Sequence, residues 1–140
     1  MKRAYVSLSI ISMLVLALVL TGCEESIEEG PGNGYIEIHI DTADINSEKY
    51  YYYRGRNTSD NTYFSSESRT GAAIITNLGD FISPLLNAGN WVCDVYELND
   101  HYSSSEAPDS SIIEQQSLGN SALVEKDKTT RIIIDLVPLT

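Results

Sequence analysis

The stretch Tyr35-Ile36-Glu37-Ile38-His39-Ile40 decides the fold. Three β-branched isoleucines alternate with Tyr35, Glu37 and His39, a period of two that sets an apolar face against a polar one, as a half-buried strand requires. The same signal recurs outward from this segment. Residues 49–54 read as a second strand carrying Tyr50, Tyr51, Tyr52 and Tyr53, and residues 72–76 as a third, extending to Ile82 through turn residues 77–80. Residues 91–98 make a fourth after the turn residues 87–90. Residues 112–117 and 122–125 are shorter strands separated by Gly119-Asn120, and Asp127-Lys128 turns the chain into a last strand over 129–137, where Ile132, Ile134 and Leu136 share a face. No window of ten or more residues in this region has the period of a helix, and the Ser-, Asn-, Asp- and Thr-rich segments 55–70 and 99–111 read as loops. The pattern predicts an all-β fold, a single antiparallel β-sandwich of about seven strands over residues 35–140.

Upstream, the composition changes twice. Lys2 and Arg3 precede an apolar run over residues 5–20, shorter than the roughly 20 residues of a spanning helix, so residues 1–22 read as a signal peptide. Residues 24–34 carry four glutamates, three glycines and a proline around one isoleucine, a composition unable to offset the entropy of ordering. Residues 23–34 are expected to be an acidic flexible tether. Leu20-Thr21-Gly22-Cys23 resembles the bacterial lipobox at all four positions. The resemblance implies that the Cys23 thiol takes a diacylglyceryl group and that cleavage before it leaves a lipid-anchored chain, for which two or three acyl chains give stable attachment.

Charge excludes some partners. Removing residues 1–22, with Lys2 and Arg3 and no acid, takes the formal charge from −11 to −13. Such a chain has no basic footprint for nucleic acid and is repelled by anionic headgroups, so the expected membrane contact is the N-terminal lipid alone. With Cys23 acylated, Cys93 is the one thiol left, so no intramolecular disulfide is expected; a lone cysteine on a strand reads as a small buried hydrophobe.

The tyrosine run is the candidate binding surface. Period two allows one pair, Tyr50 with Tyr52 or Tyr51 with Tyr53, to face solvent beside Tyr35, Tyr63 or Phe64 and to stack on a sugar or a protein; the plainer reading is tyrosine as a good strand former. His39 and His101 have no partner at metal-ligand spacing, and Asp41, Asp44 and Glu48 lack the EF-hand glycine, so no metal or other cofactor is expected. The serines at 103–105 and 110–111 sit in no nucleophile elbow, and the glycines at 30–34 lie among acids that repel phosphate. No catalytic residues are assigned, and the protein is not expected to be an enzyme.

Leu86-Asn87-Ala88-Gly89-Asn90-Trp91-Val92-Cys93-Asp94-Val95 resembles a segment of prealbumin-like and carboxypeptidase-regulatory-like sandwiches of bacterial surface proteins, and residues 124–136 resemble their closing hairpin. The resemblance implies a β-sandwich with no shared active site. The expectation is a lipid-anchored cell-envelope protein, on an outer membrane or cell surface, acting as a scaffold or binding module for protein or glycan. The alternatives are a subunit of an envelope or surface-fibre assembly, or a small-ligand receptor or hydrolase, which a deep apolar pocket with converging polar groups would favour. Cys23→Ser or Cys23→Ala is expected to leave an unlipidated precursor, read by detergent-phase partitioning and by loss of labelled-palmitate incorporation; label retained by the variant would refute the anchor.

Overall fold

The computed structural model describes residues 32–139. Ten strands form two facing sheets. They are β1 (Asn33–Ile40), β2 (Tyr50–Asn57), β3 (Tyr63–Ser65), β4 (Arg69–Thr70), β5 (Asp80–Ile82), β6 (Leu86–Asn87), β7 (Gly89–Leu98), β8 (Ile113–Val124), β9 (Thr129–Ile134) and β10 (Val137–Pro138). In the smaller sheet β1 is central, with β9 along one side and β5 and β6 along the other. The larger sheet runs β10-β8-β7-β2-β3, with β4 also on β2. The fold is an all-β sandwich, and every strand pairing but one is antiparallel. Among the described residues no helix is long and apolar enough to cross a membrane.

The alternation read from residues 35–40 holds: Ile36, Ile38 and Ile40 are buried while Glu37 and His39 are half-buried on the other face. Asn33 and Gly34, assigned to the tether, already belong to β1. Across the core the isoleucines meet Tyr51, Tyr53, Phe64, Trp91, Cys93, Val95 and Val124 from the larger sheet. Tyr53 links the layers, its ring centroid 4.9 Å from that of Phe81 in the smaller sheet, and within the larger sheet the Phe64 centroid lies 5.9 Å from Tyr53 and 5.6 Å from Trp91. Gly55 makes this packing possible: it lies opposite Phe64, and a Cβ there would come within 2.3 Å of the phenyl ring.

Four expectations change. Residues 71–75 form not a strand but a short helix, α1 (Gly71–Ile75), whose N-terminal N–H of Ala73 donates to the Thr70 hydroxyl at 3.4 Å. Two alanines favour the helix, and only Ile74 needs to reach the core, so a single turn suffices where a strand would bury alternate residues. The segment 55–70, read as a loop, contains the end of β2 and all of β3 and β4, short edge strands whose polar composition hid them. Residues 113–124 are one strand: Leu118-Gly119 is a bulge opposite Asp94, with Gly119 at φ 74°. Side chains replace the interrupted ladder, the Gly119 N–H donating to Asp94 Oδ1 at 2.9 Å and Asn120 Nδ2 to the Cys93 carbonyl at 3.1 Å. Finally, residues 124–136 do not close a hairpin. The turn at 125–128 carries the chain from β8 in one sheet to β9 in the other, where β9 pairs in parallel with β1 from Tyr35↔Thr129 to Ile40↔Ile134. That crossing puts Ile134 into the core and packs Ile132 and Leu136 against it.

One end of the core is polar. Glu97, only 4% exposed, faces Tyr51 across the β2–β7 pairing. The Tyr51 hydroxyl donates to Glu97 Oε2 and accepts from the Asn46 N–H at 2.8 Å, and Gln115 Nε2 donates to Glu97 Oε1 at 3.2 Å. Tyr51→Phe leaves a buried carboxylate oxygen and a backbone N–H without partners, and is expected to cost about 1–3 kcal/mol in urea denaturation. A cost near zero would show that the hydroxyl is dispensable.

Candidate functional site

The tyrosine strand does not present a pair of exposed rings. Tyr51, Tyr52 and Tyr53 are 0, 0 and 3% exposed and Tyr50 is half-buried. Period two is obeyed, but both faces are covered: Tyr51 and Tyr53 point into the sandwich, while Tyr52 joins Tyr96 and Leu98 in a second apolar cluster on the outer face. Residues 99–112 fold over that cluster, adding Tyr102 and Ile112 alongside Tyr50 and Ile113. The Tyr52 hydroxyl donates to the Ser104 carbonyl at 2.9 Å, and the Tyr102 hydroxyl to the Glu106 carbonyl at 3.1 Å. Tyr102 also exchanges bonds with Ser68, and His101 Nε2 lies 2.9 Å from Glu67 Oε1, so the segment is pinned to the edge of the sheet.

The cover ends at Arg54. Beyond it the outer face of β2 and β3 is open, and an open groove of about 310 Å³ lies along the boundary, lined by Arg54, Tyr63, Ser105, Glu106 and Ala107. Tyr63 is 64% exposed and sits opposite Arg56 in the β2–β3 pairing. Arg54 Nε is 3.9 Å from Asp94 Oδ2, too far for a hydrogen bond. Of the three ring groups expected beside a tyrosine platform, Tyr63 lines this groove; Phe64 is core, and Tyr35, 40% exposed, lies on the smaller sheet. Arg54 and Glu106 were not singled out from sequence. Extending the parity of Tyr50 and Tyr52 by one step places Arg54 on the outer face, but the loop that delivers Glu106 carries no such period.

A second groove, of about 460 Å³, lies at the end of α1, lined by Arg69, Thr76, Asn77, Leu78, Asp80 and Ile82. Beside it the outer face of the smaller sheet carries a charge network. His39 Nδ1 is 2.5 Å from Asp80 Oδ1, and Arg131 reaches Asp80 at 3.4 Å and Glu37 at 3.3 Å. Both histidines thus have carboxylate partners. Asp41 accepts from the Ala43 N–H at 2.9 Å and caps the 3-10 turn at Thr42–Asp44. Among the described residues no three His, Cys, Asp or Glu side chains are grouped to hold a metal. Leu20, Thr21, Gly22 and Cys23 lie outside the described residues. No family model, curated protein or solved structure matches the chain.

Cys93 is fully buried, and desolvation, with the Asp94 charge adding to it, pushes its thiol up to about 12. Burial likewise pushes Tyr96 up to about 12 and raises Tyr51, whose bond to Glu97 adds to the shift. All three stay protonated in the fold where the unfolded chain ionises, from about pH 8.5 for a thiol and about 10 for a phenol. The contribution of these three groups to stability is therefore expected to be level through neutral pH and to fall as pH rises above about 8.5. Thiol labelling of a Cys23→Ala variant at pH 8 should be silent until the chain is unfolded; labelling of the folded variant would contradict the burial of Cys93.

Proposed function

We propose that this chain is a lipid-anchored envelope protein whose β-sandwich is a non-enzymatic binding module, held by Cys23 on an outer membrane or cell surface and contacting glycan or protein through the Tyr63 groove. The observation that carries the contact is Tyr63 itself: an aromatic ring 64% exposed at the rim of an open groove, on strands tied into the larger sheet. The anchor rests on Lys2, Arg3, the apolar run over residues 5–20, Leu20-Thr21-Gly22-Cys23 and the acidic stretch behind it. The likeness of residues 86–95 to prealbumin-like and carboxypeptidase-regulatory-like modules belongs to the same reading.

A second reading, a subunit of an envelope assembly, draws on β9. This strand pairs only with β1 among the described residues, so its other edge is open, with Ile133 72% exposed beside it.

The first reading predicts that the full chain, purified in detergent, binds at least one component of an array printed with both glycans and purified proteins. Tyr63→Ala should weaken that binding about tenfold or more and move the melting temperature by only a few degrees. Binding indifferent to Tyr63→Ala would move the contact elsewhere and overturn the reading.

A further inference from the structure

The Tyr63 groove has a charge balance that selects among ligands. Arg54 supplies a cation, Asp94 and Glu106 supply anions, and Arg56 stands opposite Tyr63 on the neighbouring strand. The local sum is close to zero on a chain of net charge −11. An acidic ligand is repelled by the field of the whole molecule and by two carboxylates, and a basic ligand, though drawn by that field, meets at the groove as many guanidinium groups as carboxylates, so the groove itself adds no charge preference.

The hydrogen-bonding groups are equally mixed. Arg54 makes no hydrogen bond to a described residue, and no buried side-chain nitrogen among the described residues lacks a partner, so its terminal amino groups are open to solvent. Ser105 offers a hydroxyl, and the Glu106 carboxylate, exposed and without a protein partner among the described residues, is an acceptor. Tyr63 provides an apolar face. The wall is fixed before any ligand arrives, because the Glu106 carbonyl accepts from the hydroxyls of Tyr52 at 3.3 Å and Tyr102 at 3.1 Å.

Donors, acceptors and one ring face in a neutral setting match a ring whose hydroxyls donate and accept around an apolar C–H face. We infer that the Tyr63 groove holds one neutral pyranose unit of a saccharide chain, the ring stacked on Tyr63 with its hydroxyls shared between Arg54, Ser105 and Glu106. This rests on the proposed contact role of the groove and names its ligand class. A volume of about 310 Å³ suits one ring, and the open sheet face lets the rest of the chain run past.

The test is isothermal titration of the full chain in detergent with cellohexaose, maltohexaose and mannohexaose, against a galacturonate hexamer and a chitosan hexamer. At least one neutral hexamer should bind, about tenfold or more tighter than either charged one, with an affinity unchanged between about 0.05 and 0.5 M salt. Tyr63→Ala and Arg54→Gln should each weaken it about tenfold or more, Tyr63→Phe should retain it, and the melting temperature of each variant reports folding. A charged hexamer bound more tightly than every neutral one overturns the inference and leaves the proposed contact role standing. The same holds if no saccharide binds while Tyr63→Ala abolishes binding to a protein on the array. Silence of every saccharide together with a silent Tyr63→Ala overturns both.

Discussion

The register of β2 on β7 is the constraint on which the rest of the structure depends. Eight consecutive pairs, from Tyr50↔Leu98 to Asn57↔Trp91, fix which ring of the tyrosine run meets which layer. A slip of one residue would send Tyr51 and Tyr53 outward and exchange every partner, because a strand alternates faces at each step. The hydroxyls of the three buried rings each have a partner on their own side: Asn46 and Glu97 for Tyr51, the Ile82 carbonyl for Tyr53 at 3.1 Å, the Ser104 carbonyl for Tyr52. A phenol buried without its partner costs about 1–3 kcal/mol, so the slipped register loses on several sites at once.

The same register determines where the groove lies. Residues 99–112 cover the outer face only as far as its apolar residues run, over Tyr50, Tyr52, Tyr96 and Leu98. At the next outward position of β2 the residue is Arg54, and the cover stops. The groove is the step between a covered apolar half-face and an open polar one, with Arg54 as its floor and residues 105–107 as its wall. A binding surface of this kind follows from the way the outer face is completed, with no interruption of the core.

Much of this was legible in the sequence, and the gaps have physical causes. Ile36, Ile38 and Ile40 announce a half-buried strand because the polar residues between them face the other way, and Cys93 reads as core because it is a lone cysteine on a strand. Tyr50–Tyr53 misled because alternation predicts direction but not cover: the outer pair is buried by a segment too polar to look like a lid until Tyr102 is seen turned inward. Residues 71–75 are too short for any period to separate helix from strand. Tyr63 was noticed as a ring, yet its companions Arg54 and Glu106 lie 52 positions apart in the chain (54 and 106), and only folding brings them together.

The parallel pairing of β1 with β9 has a consequence for the order of assembly. The strand that begins the domain finds its long neighbour only when residues 129–134 are available, so a chain emerging from a ribosome holds Ile36, Ile38 and Ile40 without that flank until those residues have followed. The antiparallel contacts with β5 and β6 can form earlier, but they are short. Closure joins residues far apart in sequence and places this domain among the slower folders for its size. The time for which those isoleucines stay uncovered in the growing chain is thus set less by composition than by the delay between β1 and β9.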